Sequence, residues 1–183
     1  MRYREIIRLK DGRECVLRNA EEQDGQACLD NFILTHEQTD FLASYTDEIH
    51  FTVEQEADLM RSKAEDDGMV EILAEVEGKV AGLAGIDPLG KGEKICHRAG
   101  FGISIDREYW GLGLGRAMTQ ACIACAKKAG YAQLELDVVA DNKRAIALYE
   151  EMGFTEYGRN PLGFKSRLTG WNELVLMRMD LRE

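Results

Sequence analysis

Three glycines that alternate with leucines are the residues whose type and spacing most clearly indicate chemistry in this sequence. They are Gly111, Gly113 and Gly115, within the segment Tyr109–Arg116. Glycine permits positive φ and carries no Cβ, so consecutive backbone N–H groups can converge on an anion. A helical pattern begins near Leu114 and adds the positive end of its dipole at the same point. The segment therefore predicts a site for a phosphate or pyrophosphate group.

Two common nucleotide-binding loops do not fit this spacing. A Walker loop needs Gly-Lys-Ser/Thr, which the sequence lacks. The dinucleotide fingerprint Gly-x-Gly-x-x-Gly, counted from Gly111, needs a third glycine where Arg116 stands. Counted from Gly113, it needs one where Met118 stands. An oxidoreductase that binds a dinucleotide is therefore the least favoured interpretation.

A second segment places an amide and a phenol on one face of a helix. Residues 131–139 alternate apolar and polar side chains, which predicts a strand, and Asp141-Asn142 then predicts a helix cap. Asn142 and Tyr149 are seven residues apart, which is two helical turns. Their side chains are therefore expected to share one wall of a site.

Together the two segments resemble the GNAT superfamily of N-acetyltransferases. Its pyrophosphate loop, Gln/Arg-x-x-Gly-x-Gly/Ala, is similar to the segment from Trp110 to Gly115. The departure is Trp110, which removes a polar side chain from the first position but leaves every backbone amide. The later motif, Asn-x-x-Ala-x-x-Leu-Tyr-x-x-x-Gly-Phe, is matched at Asn142, Ala145, Leu148, Tyr149, Gly153 and Phe154.

The resemblance covers nearly the whole chain and implies an α/β fold of mixed type. We expect a splayed, mostly antiparallel central sheet of about seven strands, flanked by about four helices. It also implies transfer of an acetyl group from acetyl-CoA to a primary amine, by direct attack in a ternary complex and without a metal. A homodimer is compatible with the resemblance.

The resemblance also implies a role for particular residues. In the family the strand before the glycine loop pairs through its backbone with the pantetheine arm, so Ile103 and Ile105 inherit that role. A backbone N–H on this strand is the expected oxyanion donor. Tyr149 is the expected general acid for the departing thiolate. The other expected cofactor contacts, besides Tyr149 itself, are Gly111, Leu112, Gly113, Leu114, Gly115, Arg116 and Asn142.

The sequence does not assign a general base. Many family members carry a glutamate on the strand before the glycine loop, but here the segment 97–101 reads His-Arg-Ala-Gly-Phe, without a carboxylate. His97 has a suitable intrinsic pKa, although a single histidine on a strand is more often structural. A relay through water to another residue stays open.

The amine acceptor is indicated only by one acidic segment. Residues 39–56 hold five acidic side chains and no Lys or Arg: Asp40, Asp47, Glu48, Glu54 and Glu56. In the family the region between the first two helices commonly lines the acceptor cleft, so these charges would attract an ammonium group. A solvated loop is the equally weighted alternative.

Three functions are consistent with these residues. The leading one is acetylation of a small amine such as a polyamine, an amino sugar or an amino-acid derivative. The second is acetylation of a protein N-terminus or lysine, which requires a cleft open to a peptide backbone. The third is a non-catalytic acyl-CoA-binding or sensing domain, which the missing strand glutamate favours and Tyr149 disfavours.

Composition limits the class of protein. The 183 residues, 45% of them hydrophobic, suit one domain spanning 1–183. The formal charge of −10 argues against a nucleic-acid surface and favours small amine partners. Neither a secretory signal nor a membrane-spanning run is found, so we expect a cytoplasmic protein with reduced thiols. Cys122 and Cys125 fall on the apolar stripe of a helix, which indicates core packing rather than a zinc or redox site.

The elements that must position the site follow from hydrophobic patterns and turns. Asp11-Gly12 predicts a hairpin between strands at 3–9 and 14–17. Capping boxes, Asn19 with Glu22 and Thr52 with Gln55, predict two helices. Later strands are expected at 69–76, 79–87, 94–105, 131–139, 154–159 and 173–179.

Overall fold

Eight strands and four α-helices make up the part of the chain that the computed structural model describes, residues 2–182. The strands are β1 Arg4–Arg8, β2 Glu14–Asn19, β3 Val70–Val76, β4 Lys79–Pro88, β5 Arg98–Ile105, β6 Gln133–Val139, β7 Thr155–Ser166 and β8 Gly170–Asp180. The helices are α1 Gly25–Gln38, α2 Val53–Glu65, α3 Leu114–Lys128 and α4 Lys143–Glu151. Short 3₁₀ turns lie at Glu22–Asp24, Thr46–Glu48 and Arg107–Tyr109.

The eight strands form one sheet in the order β1-β2-β3-β4-β5-β6-β8-β7. Every neighbouring pair is antiparallel except β5 and β6, which are parallel. That parallel pairing runs only from Arg98 opposite Gln133 to Gly100 opposite Glu135. Past Gly100 the two strands separate, which confirms the expected splayed, mostly antiparallel sheet. Its eight strands match the number that the hydrophobic patterns predict, and are one more than the resemblance implies.

Helices cover both faces of this sheet. Neighbouring residues of β3 point into different apolar layers. Ile72 lies in the large core, together with Met118 and Cys122 of α3. Leu73 points the other way, into a smaller cluster with Cys28 of α1 and Met60 of α2. The period-two alternation of a strand therefore separates two apolar layers. On β6, Leu134, Leu136 and Val138 lie in the larger layer, so Asp137 and Val139 face the α1 and α2 side.

The start of the first helix differs from the prediction. Asn19 does not cap α1, because it is still paired with Ile72 as the last residue of β2. Its side chain instead accepts a hydrogen bond from the backbone N–H of Tyr3, at 2.7 Å. A 3₁₀ turn with a capping box between Glu21 and Asp24 intervenes before the helix begins. The capping box of Thr52 and Gln55 is confirmed at the start of α2.

Two strand boundaries near the site also differ. β5 begins at Arg98 rather than at residue 94, because residues 92–97 form a turn in which the N–H of Cys96 donates to the carbonyl of Gly92. His97 therefore lies in an exposed turn, at the end of β5 opposite to Ile105. β7 is longer than predicted and reaches Ser166, forming a long hairpin with β8.

The cysteines confirm the expected core packing. Cys15, Cys28, Cys122 and Cys125 are buried and Cys96 is exposed, all with free thiols. Within residues 2–182, no group of three or more His, Cys, Asp or Glu side chains is arranged to hold a metal ion. Over the same residues, the longest apolar helices fall short of what crossing a membrane requires.

Candidate active site

The glycine loop turns the end of β5 into the start of α3. Gly111 and Gly113 have φ of +81° and +91°, a left-handed backbone that side chains with a Cβ rarely adopt. Gly113 is the N-cap residue of α3, which places the loop at the positive end of that helix. The turn between β1 and β2 contacts this loop, since the carbonyl of Leu112 accepts a hydrogen bond from the N–H of Lys10, at 3.1 Å.

The backbone of this loop offers a row of free donors. Residues 110–113 form a turn, and among residues 2–182 the N–H groups of residues 111 to 116 make no hydrogen bond of good geometry to a protein acceptor. N–H groups of this kind at a helix start suit an anion. The side chain of Arg116, in contrast, is ion-paired with Glu151 of α4.

Gly115 allows three elements to approach each other at the loop. A Cβ on this residue would lie 3.3 Å from Leu148 Cδ2 and 3.5 Å from Ile105 Cδ1. The start of α3 therefore packs directly against α4 and against the end of β5. This contact brings the two sequence segments of the predicted site together.

Trp110 fixes the loop to β5 through its side chain. Its indole N–H donates to the carbonyl of Ile105, at 2.8 Å. The indole N–H thus makes a polar contact with β5, at the motif position where the family commonly carries a polar side chain. The ring is partly exposed and carries the guanidinium carbons of Arg107 and Arg144 at 5.5 and 5.2 Å from its centroid.

The end of β5 has one free backbone edge. Residues 101–105 pair with β4, but β6 pairs with β5 only as far as Gly100, and past that point the carbonyl of Ile105 is taken by the indole of Trp110. Ile103 and Ile105 are half-buried, and their side chains pack on the large core. Their side chains are thus structural, while the backbone edge beside the splay can pair with an extended ligand.

Tyr149 lies at the same splay, on the face of the sheet that α3 and α4 cover. Its ring is buried and meets Phe101 and Phe154 edge-on, with centroids 6.1 and 5.9 Å away. Burial raises the pKa of the Tyr149 phenol to about 12. Among the described residues the phenol has no hydrogen-bond partner. Asn142 caps α4, since its Oδ1 accepts from the N–H of Ala145 at 3.2 Å.

A cleft of about 370 Å³ lies on the other face of the sheet, where α1 ends. Its lining comes from the segment after α1, from β6 and from the β7–β8 hairpin: Phe41, Leu42, Ala43, Tyr45, Asp137, Val139, Gly163, Phe164, Lys165 and Leu174. Asp137 is the carboxylate in this lining, and desolvation raises its pKa, with a further contribution from the nearby charge of Glu135.

Asp137 is the functional candidate that the sequence interpretation did not single out. It lies on the polar side of the alternating pattern at 131–139, which is the signal that points to it. Glu135 lies two residues earlier on the same side of β6. Its carboxylate already accepts hydrogen bonds from Arg98, from Gln133 and from the hydroxyl of Tyr157. Asp137 is therefore the carboxylate of β6 that faces the cleft.

Polar contacts bridge the cleft between the segment after α1 and the tip of the β7–β8 hairpin. The hydroxyl of Ser166 donates to Asp40 at 2.5 Å, and the N–H of Arg167 donates to the hydroxyl of Tyr45 at 2.5 Å. The Arg167 guanidinium covers the ring of Tyr45 at 4.1 Å. It also pairs with Asp47 at 2.8 Å and with Glu48 at 3.5 Å. We refer to these contacts of residues 40–48 with residues 166–167 as the bridge.

The bridge changes the interpretation of the acidic segment. Arg167 neutralises part of the charge of Asp47 and Glu48 and lowers the pKa of the Asp47 carboxyl. Glu56, in the first turn of α2, is buried, and that burial raises the pKa of its carboxyl. Two of the five acids are thus paired and a third is buried, so the field that they present to an ammonium group is weaker than their number suggests.

Comparisons with known proteins agree with this geometry. Residues 31–154 match the model of the "Acetyltransferase (GNAT) family". A segment of 56 residues is 48% identical to the [ribosomal protein bS18]-alanine N-acetyltransferase of Escherichia coli K12; it covers 31% of this chain and 38% of that enzyme. The chain thus spans less than two fifths of the length of that curated relative.

Two solved structures resemble the whole described fold. An acetyltransferase of the GNAT family from Streptococcus pneumoniae has a TM-score of 0.85 and 27% identity, over 91% of this chain and 99% of that one. The structure of yncA from Salmonella typhimurium, a putative acetyltransferase with its cofactor acetyl-CoA, has a TM-score of 0.81 and 18% identity, over 92% and 95% of the chains. At that identity the second likeness concerns the fold alone.

Proposed function

We propose that this chain, which belongs to the acetyltransferase (GNAT) family, transfers an acetyl group from acetyl-CoA to the primary amine of a small molecule. The family match spans more than half of the chain and includes the glycine loop, β6 and the α4 segment with Asn142 and Tyr149.

The residues of the splay fit acetyl-CoA. The free N–H groups of residues 111–116 suit a pyrophosphate, since they converge at a helix start and meet no carboxylate there. The edge of β5 that β6 leaves after Gly100, apart from the Ile105 carbonyl that Trp110 occupies, suits an extended arm with amide groups. When bound, acetyl-CoA supplies the thioester that is the acyl donor.

Asp137 and Tyr149 supply proton transfer on opposite faces of the sheet. A carbon–nitrogen bond to the acceptor forms while the carbon–sulfur bond breaks, so the amine loses a proton and the sulfur gains one. Asp137 faces the acceptor cleft and accepts the proton of the amine, for which its raised pKa makes it a better base. Tyr149 is protonated at neutral pH and donates its proton to the departing thiolate. Because the thiolate is a weaker base than the phenolate, this transfer requires that the two groups are held together.

The bridge is the observation that supports a small acceptor. It joins the segment after α1 to the hairpin tip, on one side of the cleft that Asp137 lines. A peptide substrate needs a groove through which its backbone can pass, whereas the bridged cleft has the size of a small-ligand pocket, about 300–1,000 Å³. Aromatic and aliphatic side chains, such as Phe41 and Phe164, form much of the wall.

A protein N-terminus is the second candidate acceptor. The E. coli relative acts on the alanine of a ribosomal protein, and the shared 56-residue segment favours a common acyl-donor chemistry. It covers less than a third of this chain, so most of the residues that would recognise an acceptor lie outside it.

Acetyl transfer from labelled acetyl-CoA to a mixed panel of acceptors tests the proposal. The panel contains polyamines, amino sugars, amino acids and short peptides with free N-termini, and mass spectrometry identifies the products. We expect acetylation of one class of small amine. Acetylation of peptides alone would favour the second candidate, and acetyl-CoA binding without any product would favour a sensing domain.

A further inference from the structure

Two arginines lie over the ring of Trp110. The guanidinium groups of Arg107 and Arg144 both lie over its indole ring, and neither has an ion-pair partner among residues 2–182. The protein is acidic, with a formal charge of −10. Many of its other arginines are paired, as in the contacts of Arg18 with Asp24 and Arg116 with Glu151.

The cluster lies where the turn after β5 meets the start of α4. Arg107 lies in the 3₁₀ turn after β5, and Arg144 lies in the first turn of α4. Trp110 stands directly before the glycine loop and is held there by its bond to the carbonyl of Ile105. The two cations are thus carried by different elements and meet beside the free N–H groups of residues 111–116.

Both guanidinium carbons lie within 5.5 Å of the same ring centroid, so two like charges share one small region of the surface and favour an anion beside them. Stacking on an aromatic face occupies the plane of a guanidinium and leaves its N–H edge free to donate. Arginine edges bind phosphate groups with paired, charge-assisted hydrogen bonds. The cluster therefore has the chemistry of a phosphate site that is separate from the glycine loop.

We propose that Arg107 and Arg144, stacked on Trp110, form a second anion site that binds the phosphate monoester on the ribose of coenzyme A. The inference rests on the proposed use of acetyl-CoA, which carries two anionic centres, a pyrophosphate and a 3′-phosphate. The glycine loop takes the first of these centres and the Trp110 cluster takes the second. Trp110 then has a positioning role, because it orients both arginines and fixes the loop to β5.

The test compares the affinities of coenzyme A and 3′-dephospho-coenzyme A, measured by titration calorimetry at one fixed ionic strength. We expect the full-length protein to bind coenzyme A more tightly by about tenfold or more, as charge-assisted hydrogen bonds to a phosphate allow. Arg107→Gln and Arg144→Gln should each reduce that preference, and should leave the affinity for the dephospho compound unchanged. Lys127→Gln, at the far end of α3, removes the same charge and should keep the preference.

Two substitutions of Trp110 separate stacking from loop anchoring. Trp110→Phe keeps an aromatic face but loses the N–H, so the two ligands should weaken together while the preference persists. Trp110→Ala should lose the preference as well. Equal binding of the two ligands by the unsubstituted protein, or an unchanged preference in Arg107→Gln and Arg144→Gln, would overturn the proposal. Failure of both ligands to bind would instead contradict the use of coenzyme A itself.

Discussion

The ring of Tyr149 lies edge-on to the ring of Phe101, with centroids 6.1 Å apart and an angle of 89° between the planes. Phe101 is the first residue of β5 that β6 no longer pairs. The contact thus fixes a helix side chain from α4 at the point where the sheet opens. A third ring, Phe154, closes the cluster and holds Tyr149 from the other side.

Replacement of Tyr149 by Phe should lower turnover more than cofactor affinity. The substitution keeps the ring contacts and removes only the phenol, whose raised pKa keeps it protonated at neutral pH. General acids contribute about 100-fold or more to rate, so we expect a fall in kcat of that order. Steady-state kinetics give kcat, and calorimetry gives the Kd for acetyl-CoA. An unchanged kcat would remove the assignment of Tyr149 as general acid.

Replacement of Asp137 by Asn should lower kcat/KM for the amine by about 100-fold. Because the pKa of Asp137 is raised, the acid limb of the pH profile should lie above the usual range of an aspartate, with activity rising as the carboxyl loses its proton. The substituted protein should lose this limb. Asp30→Asn, on the exposed side of α1, is the matched control and should keep it. A full pH profile in Asp137→Asn would show that another group takes the proton.

Replacement of Gly113 by Ala should weaken acetyl-CoA binding. A left-handed φ costs an L-residue roughly 1–2 kcal/mol, so the loop would move its N–H groups away from the cradle. Gly78 is a matched control, since it has a φ of +77° and open space around it, in the hairpin between β3 and β4. Both variants should lose similar stability in a thermal melt, and only Gly113→Ala should change the Kd. Equal Kd values in the two variants would contradict a ligand role for the loop.

Replacement of Arg167 by Gln should open the bridge. It removes the pairs with Asp47 and Glu48 and the stacking on Tyr45, all near the protein surface. Exposed ion pairs add little stability, so the melting temperature should change little. The KM for a small amine should rise severalfold while the Kd for acetyl-CoA stays constant.

Arg159→Gln is the control for the bridge, because Arg159 makes comparable exposed pairs with Glu156 and Glu173 elsewhere on the same hairpin. Its KM should match that of the unsubstituted protein. If the two variants have the same KM, the bridge does not shape the acceptor site.

The parts of the site that are set by short-range contacts along the chain could be predicted from the sequence. The glycine loop with its positive φ values and the cap at Asn142 are set by residues within a few positions of each other. The bridge could not be predicted, because Arg167 and Asp47 are 120 residues apart and meet only through the arrangement of the sheet. The contact of Trp110 could not be predicted for a similar reason, since its acceptor is a backbone carbonyl that no side-chain pattern reveals.

Competition between local and long-range contacts explains the error at Asn19. A capping motif favours a helix start there, but pairing with Ile72 of β3 extends the strand and leaves the cap to Glu21 and Asp24. The strand pairing is decided by residues more than 50 positions away. The sequence pattern around Asn19 contains no record of it.

A competition assay tests whether the preferred acceptor is a small amine. The protein is given acetyl-CoA together with equal concentrations of the small amine that the panel identifies and a short peptide with an N-terminal alanine, and mass spectrometry follows both acetylated products. The bridged cleft with Asp137 in its wall predicts that the small amine is acetylated first and that Asp137→Asn loses most of this product. Acetylation of the peptide before the amine would contradict the account.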